Sequence, residues 1–175
     1  MTQNAVDLET LADQIEQRHH TYVRNNVVPM AERLDRLART LGSTRPELPV
    51  LALRFNDLGR ELTAHLAKEE HILFPYVRAL ARAAREAHRG PASPFGTVRN
   101  PIRVMEADHE RATALIDELR QITGDYAVPT GADDPYRACM SDLAHFDADL
   151  REHIHLEGDL LFPQASELED RLASV

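Results

Sequence analysis

Apolar residues recur at steps of three and four along most of the chain. Val23, Val27, Met30, Leu34, Leu37 and Leu41 form one series, and Leu51, Phe55, Leu58 and Leu62 a second. Ile102, Met105, Ala112, Ile116 and Leu119 form a third, and Cys139, Leu143, Phe146 and Leu150 a fourth. This spacing returns side chains to one face of a helix and predicts four amphipathic helices. Gly- and Pro-rich stretches at 42–49, 90–96 and 124–135 punctuate them, setting the helices at about 7–41, 49–88, 99–123 and 134–170. Modest connections between such helices predict an all-α, up-down-up-down four-helix bundle. It is read as one domain, 1–175, made of two helical hairpins at about 7–88 and 99–170. Pro29, Pro75 and Pro163 lie inside the helical patterns, and each predicts a kink or a fresh helix start.

Continued along the chain, the stripes stop being apolar. The second runs from Leu62 to His65, Glu69 and Ile72, and the fourth from Leu150 to His153, Glu157 and Leu160. The third passes through His109, and stepping back from Val23 on the first lands on His20. Four histidines and two glutamates therefore point into the predicted core. The other five histidines, His19, His71, His88, His145 and His155, fall off the stripes.

A buried carboxylate must neutralise, find a partner or bind a metal, because desolvation penalises its charge. Lys68 and Arg151 lie beside the stripes, not on them. A metal pair held by His20, His65, Glu69, His109, His153 and Glu157 resolves the conflict, since imidazole suits Fe, Zn and Cu and carboxylates can bridge two ions. Bundle cores accept such sites. An internal repeat supports this. His65, Glu69, Leu73, Phe74 and Pro75 have the same relative spacing as His153, Glu157, Leu161, Phe162 and Pro163. His20 precedes His65 by 45 residues and His109 precedes His153 by 44. Any one of these features alone is weak, since an isolated His-x-x-x-Glu is usually an exposed helical pair.

Composition narrows the partners. Lys and Arg total 20 against 29 Asp and Glu, a formal net charge of −9. That balance argues against binding to nucleic acid or to an anionic membrane surface. Residues 1–10 show neither the basic start nor the apolar run of a secretory signal, and no stretch of the chain is apolar for a membrane-spanning length. A single cysteine, Cys139, forms no internal disulfide and fits a reducing, cytoplasmic setting; its place on an apolar stripe predicts a buried, inert thiol. Glu61 and Asp149, four residues before His65 and His153, are placed to accept the free imidazole N–H groups, and Asp108 to add negative charge beside His109. Tyr22 and Tyr76, close to these residues in sequence, read as core-edge packing.

Arg18-His19-His20-Thr21, His65 through Pro75, Val104 through Glu110, and His153 through Pro163 together resemble the hemerythrin-like (HHE cation-binding) superfamily. Within it the likeness is nearest to the iron–sulfur cluster repair di-iron family, and it covers about Leu11 to Ala165. In that family a cysteine-containing domain precedes the bundle, whereas here the helical pattern begins almost at Met1. The resemblance implies two iron ions, oxo- or hydroxo-bridged. His20, His65, His109 and His153 would be terminal ligands, with Glu69 and Glu157 bridging. It implies about five ligands per iron and one open position, suited to a small diatomic or peroxide ligand. Implied partners are apo iron–sulfur proteins and an electron donor, in a nitrosative or oxidative stress response. Reversible binding or sensing of dioxygen or nitric oxide, and a structural zinc pair without turnover, stay open as alternatives.

Overall fold

A computed structural model describes residues 7–174. Among these the chain is helical, without strands, and its order is α1 (Leu8–Ile15), α2 (Thr21–Leu41), α3 (Glu47–Lys68), α4 (Phe74–Arg85), α5 (Arg99–Thr123), α6 (Asp134–His155) and α7 (Phe162–Ala173). Three wider π-turns, Glu16–His20, Glu69–Leu73 and Leu156–Leu161, join α1 to α2, α3 to α4 and α6 to α7 without a break. The result is four long rods, the all-α bundle foreseen from the stripes. The second rod starts two residues earlier than the breakers suggest, directly after Pro46, and ends at Arg85; the fourth runs on to Ala173. Among the described residues no helix is long and apolar enough to cross a membrane.

The rod ends follow local chemistry. Asp7 and Asp133 cap α1 and α6, accepting from the backbone N–H groups of Thr10 and Tyr136 at 3.3 and 3.0 Å. Gly124 ends α5 at φ 61° and is followed by two further left-handed residues, Asp125 and Tyr126. The N-terminus of α5 is tied to α7 by Glu169. Its carboxylate accepts from the backbone N–H of Val98 at 2.9 and 3.0 Å, the Thr97 hydroxyl at 2.6 Å and the Tyr76 hydroxyl at 2.7 Å.

The prolines act differently from one another. Pro29 sits within an uninterrupted α2. Pro75 and Pro163 open α4 and α7 just after π-turns. Proline lacks an N–H and crowds the carbonyl four residues back, and a widened turn relieves both problems. Each π-turn closes with the same bond to the carbonyl five residues earlier: Thr21 to Glu16, Phe74 to Glu69, and Phe162 to Glu157.

An extra residue per turn shifts the phase of everything beyond it. Ile72, placed on the buried stripe by 3/4 counting, is 50% exposed, while Leu73 is buried. Leu161, not Leu160, is fully buried for the same reason. In the first rod the wide turn brings both His19 and His20 inward. The expectation that His19 lies off the stripe is therefore corrected; His71, His88, His145 and His155 are exposed.

The apolar core is in two blocks. One gathers α2, α3, α6 and the second half of α5 around Leu34, Phe55, Leu62, Ile116 and Phe146. The other gathers α1, α4, α7 and the start of α5 around Ile15, Phe74, Met105 and Phe162. Phe55 meets Phe146 edge-on at 5.3 Å, and Tyr22 packs on the same ring at 6.0 Å. Between the two blocks, on every rod, lies a polar layer.

Candidate metal centre

The polar layer contains His20, His65, Glu69, His109, His153 and Glu157. All are buried, and His109 is the least so at 7% exposure. Helical i,i+4 spacing from His65 and His153 brings both carboxylates to the axis, and the register slip of the π-turns comes after them. Glu69 opens one and Glu157 lies in another, each one turn after its histidine.

Two groups of four form around the shared carboxylates. His20, Glu69, His153 and Glu157 offer donor atoms within 4.8 Å of one another, and so do His65, Glu69, His109 and Glu157. Glu69 Oε2 lies 3.3 Å from His20 Nε2 and 3.2 Å from His65 Nε2. Glu157 spreads its two oxygens. Oε1 is 3.0 Å from His153 Nε2, and Oε2 is 3.0 Å from His109 Nε2. His65 and His109 face each other nitrogen to nitrogen at 3.2 Å.

Outer groups orient the rings. His20 Nδ1 donates to Glu70 Oε1 at 2.8 Å, and Arg24 holds Glu70 from outside. His65 Nδ1 donates to Asp108 Oδ2 at 3.4 Å; Lys68 reaches the same oxygen at 2.7 Å and Arg111 the other. A carboxylate only accepts, so each of these rings carries a proton on Nδ1, and Nε2 is the atom turned to the carboxylates inside.

Two expectations are corrected here. Glu61 does not serve His65; it lies at the surface beside Arg111 at 3.5 Å, and Asp108 takes its place from the neighbouring helix. Asp149 does not serve His153; it accepts from His19 Nδ1 at 2.9 Å. Asp108 is buried and contributes more than a field, through direct contact with His65. His19 and Glu70 also contact the layer, and neither is legible from the stripes. His19 was hidden by the phase shift, and Glu70 by following a stripe residue directly. Tyr76 is turned away toward Glu169, and Cys139 is fully buried, its thiol pushed up to about 11 mainly by burial.

The layer is electrostatically demanding. Both oxygens of Glu69 and of Glu157, and Nε2 of His20 and of His153, are buried without a hydrogen-bond partner. Among the described residues no Lys or Arg pairs with either carboxylate. Burial opposes a charge on His20, but Glu157 and Glu69 outweigh it and lift the imidazole to about 10. Burial likewise opposes a carboxylate charge on Glu157, and His153, His109 and His20 together hold it well below the usual range. The site is a pair of buried anions ringed by imidazoles, a donor set that fits divalent or trivalent cations of the first transition row.

A helical bundle that buries His and Glu donors from all four of its rods is built as a metal-binding bundle protein. The hemerythrin HHE cation binding domain matches residues 10–165, and the chain belongs to that family. It is 35% identical over 159 residues to proteins named iron–sulfur cluster repair protein YtfE, from Yersinia pestis (strain Pestoides F) and from Yersinia pseudotuberculosis serotype O:1b (strain IP 31758). The match covers 90% of this chain and 66% of each relative.

Proposed function

We propose that this chain holds two iron ions and serves the repair of iron–sulfur centres. His20 and His153 would hold one ion and His65 and His109 the other, with Glu69 and Glu157 shared. The sharing of two buried carboxylates by two groups of histidines is the observation that carries this reading, because one cation would leave two of the four histidines unused. Iron held there would supply electron transfer and a Lewis-acid position for small molecules, and would itself be the cargo in cluster repair.

The protein's own part is to position and to exclude. Glu70 and Asp108 fix the rings of His20 and His65 and raise their basicity. The two apolar blocks above and below the layer keep water from the donors. The repair role draws support from the 35% identical relatives whose name carries it.

The test has two steps. Elemental analysis of protein loaded anaerobically with ferrous iron is expected to give two irons per chain. Incubation with an apo iron–sulfur protein, sulfide and reductant is then expected to restore the acceptor's cluster absorbance. Iron that stays bound while the acceptor stays apo would sink the repair role. A stable oxy form of that protein would support a reversible carrier instead.

A further inference from the structure

The two halves of the polar layer match at the inner residues and differ at what covers them. Phe74 follows His65 by nine residues, and Phe162 follows His153 by nine. Each ring lies flat against a histidine, Phe74 on His20 at 5.4 Å and Phe162 on His109 at 5.8 Å. Outside Phe74 the first half is closed by charge. The Arg78 guanidinium sits 5.8 Å over the Phe74 ring and is held by Asp13 at 2.8 Å and Glu16 at 2.6 Å. Glu70, tied to Arg24, covers His20 at its Nδ1 edge.

The matching positions of the second half carry none of this. Counting thirteen residues past the histidine gives Arg78 in the first half and Ser166 in the second. Counting five gives Glu70 and Gly158. Asp13 and Glu16 stand seven and four residues before His20; Ile102 and Met105 stand seven and four before His109. On this side a groove of about 450 Å3 opens between α5 and α7, lined by the exposed Arg99, Arg103 and Glu106, the half-buried Ser166 and the buried Ile102 and Phe162; among the described residues no guanidinium lies over the Phe162 ring as Arg78 lies over Phe74. Phe162 is thus shared between the groove and His109, the most exposed of the inner residues, whereas His20 on the covered side has no exposure.

We propose that this groove is the access route for small uncharged diatomic molecules, that Phe162 is its gate, and that such molecules meet the His65/His109 side first. The inference rests on the two-iron reading above. A neutral diatomic has little hydration to lose in passing the charged mouth and the apolar residues beneath it, so the Phe162 ring is the main barrier on this side. The other side would require separating Arg78 from two carboxylates.

Nitric oxide binding to the anaerobic, iron-loaded ferrous protein, followed by stopped-flow absorbance, tests this. Ser166→Arg and Gly158→Glu restore the first half's covering residues. Ser166 is only half-buried, and a Cβ at Gly158 meets nothing within 4 Å, so both fit the fold. Each is expected to keep the wild-type iron content and to slow association about tenfold, a barrier change of ~1.4 kcal/mol. Phe162→Leu is expected to accelerate it. Wild-type association rates in both filled variants, at full iron content, would overturn the route while leaving the two-iron reading intact. A wild-type chain that takes up no iron overturns both.

Discussion

His19 Nδ1 donates to Asp149 Oδ1 across 2.9 Å, and the ring so fixed lies 5.8 Å from that of His153, within 11° of parallel. His19 belongs to neither group of converging donors. It meets His153 as a stacked ring, whereas Asp108 meets His65 through a hydrogen bond. Asp149→Ala leaves a buried imidazole N–H without its acceptor and is expected to cost about 1–3 kcal/mol of stability. Urea denaturation measures that loss, and iron content should stay at the wild-type level. Loss of iron with unchanged stability would mean that His19 is a ligand.

Removal of a shared carboxylate should differ from removal of an imidazole. Glu157→Ala takes donors from both groups and is expected to leave less than one iron per chain. His109→Ala touches one group and is expected to leave about one. Elemental analysis after desalting separates the two outcomes.

Asp108→Ala and Glu61→Ala form a matched pair. Asp108 orients His65, so its loss is expected to weaken iron binding by about 10–100-fold. Glu61 sits with Arg111 at the surface, and its loss should leave affinity unchanged. Competition with a chromogenic chelator reads both.

Metal removal should loosen the whole bundle, because the polar layer lies between the two apolar blocks. With free metal at about a hundred times its dissociation constant, binding adds about 2.7 kcal/mol to stability. The chelated protein is expected to melt at a lower temperature, and calorimetry with and without chelator checks this.

Tyr76 supplies an alkaline signature far from the donors. Burial and the Glu169 carboxylate push its hydroxyl up to about 12. The folded-state value lies above the unfolded value of about 10, so the contribution is complete below pH ~10 and is lost as pH rises through ~12. Tyr76→Phe should show a shallower fall in stability across that window. Equal slopes for both proteins would refute the coupling.

The stripes made four rods and the six converging residues legible, because 3/4 periodicity survives wherever the helix stays α. The same rule failed at Ile72, Leu160 and His19, where wide turns slip the register by one residue. Glu70 and Asp108 were harder to read as orienting groups. Their partners lie on other helices, and only packing brings Glu70 to His20 or Asp108 to His65. Glu61 and Asp149 had the right spacing on their own helices, yet each turned to a different partner.

The repeat that sets Glu69 and Phe74 against Glu157 and Phe162 at equal offsets also bears on what the chain was free to change. A site assembled from two identical hairpins of separate chains must repeat every cover residue on both faces. Closing one face then closes the other. Joining the hairpins in one chain removes that constraint, so Arg78 and Glu70 can seal one side while Ser166 and Gly158 leave the other bare. A front and a back are thus open to the fused chain and closed to a pair of identical hairpins.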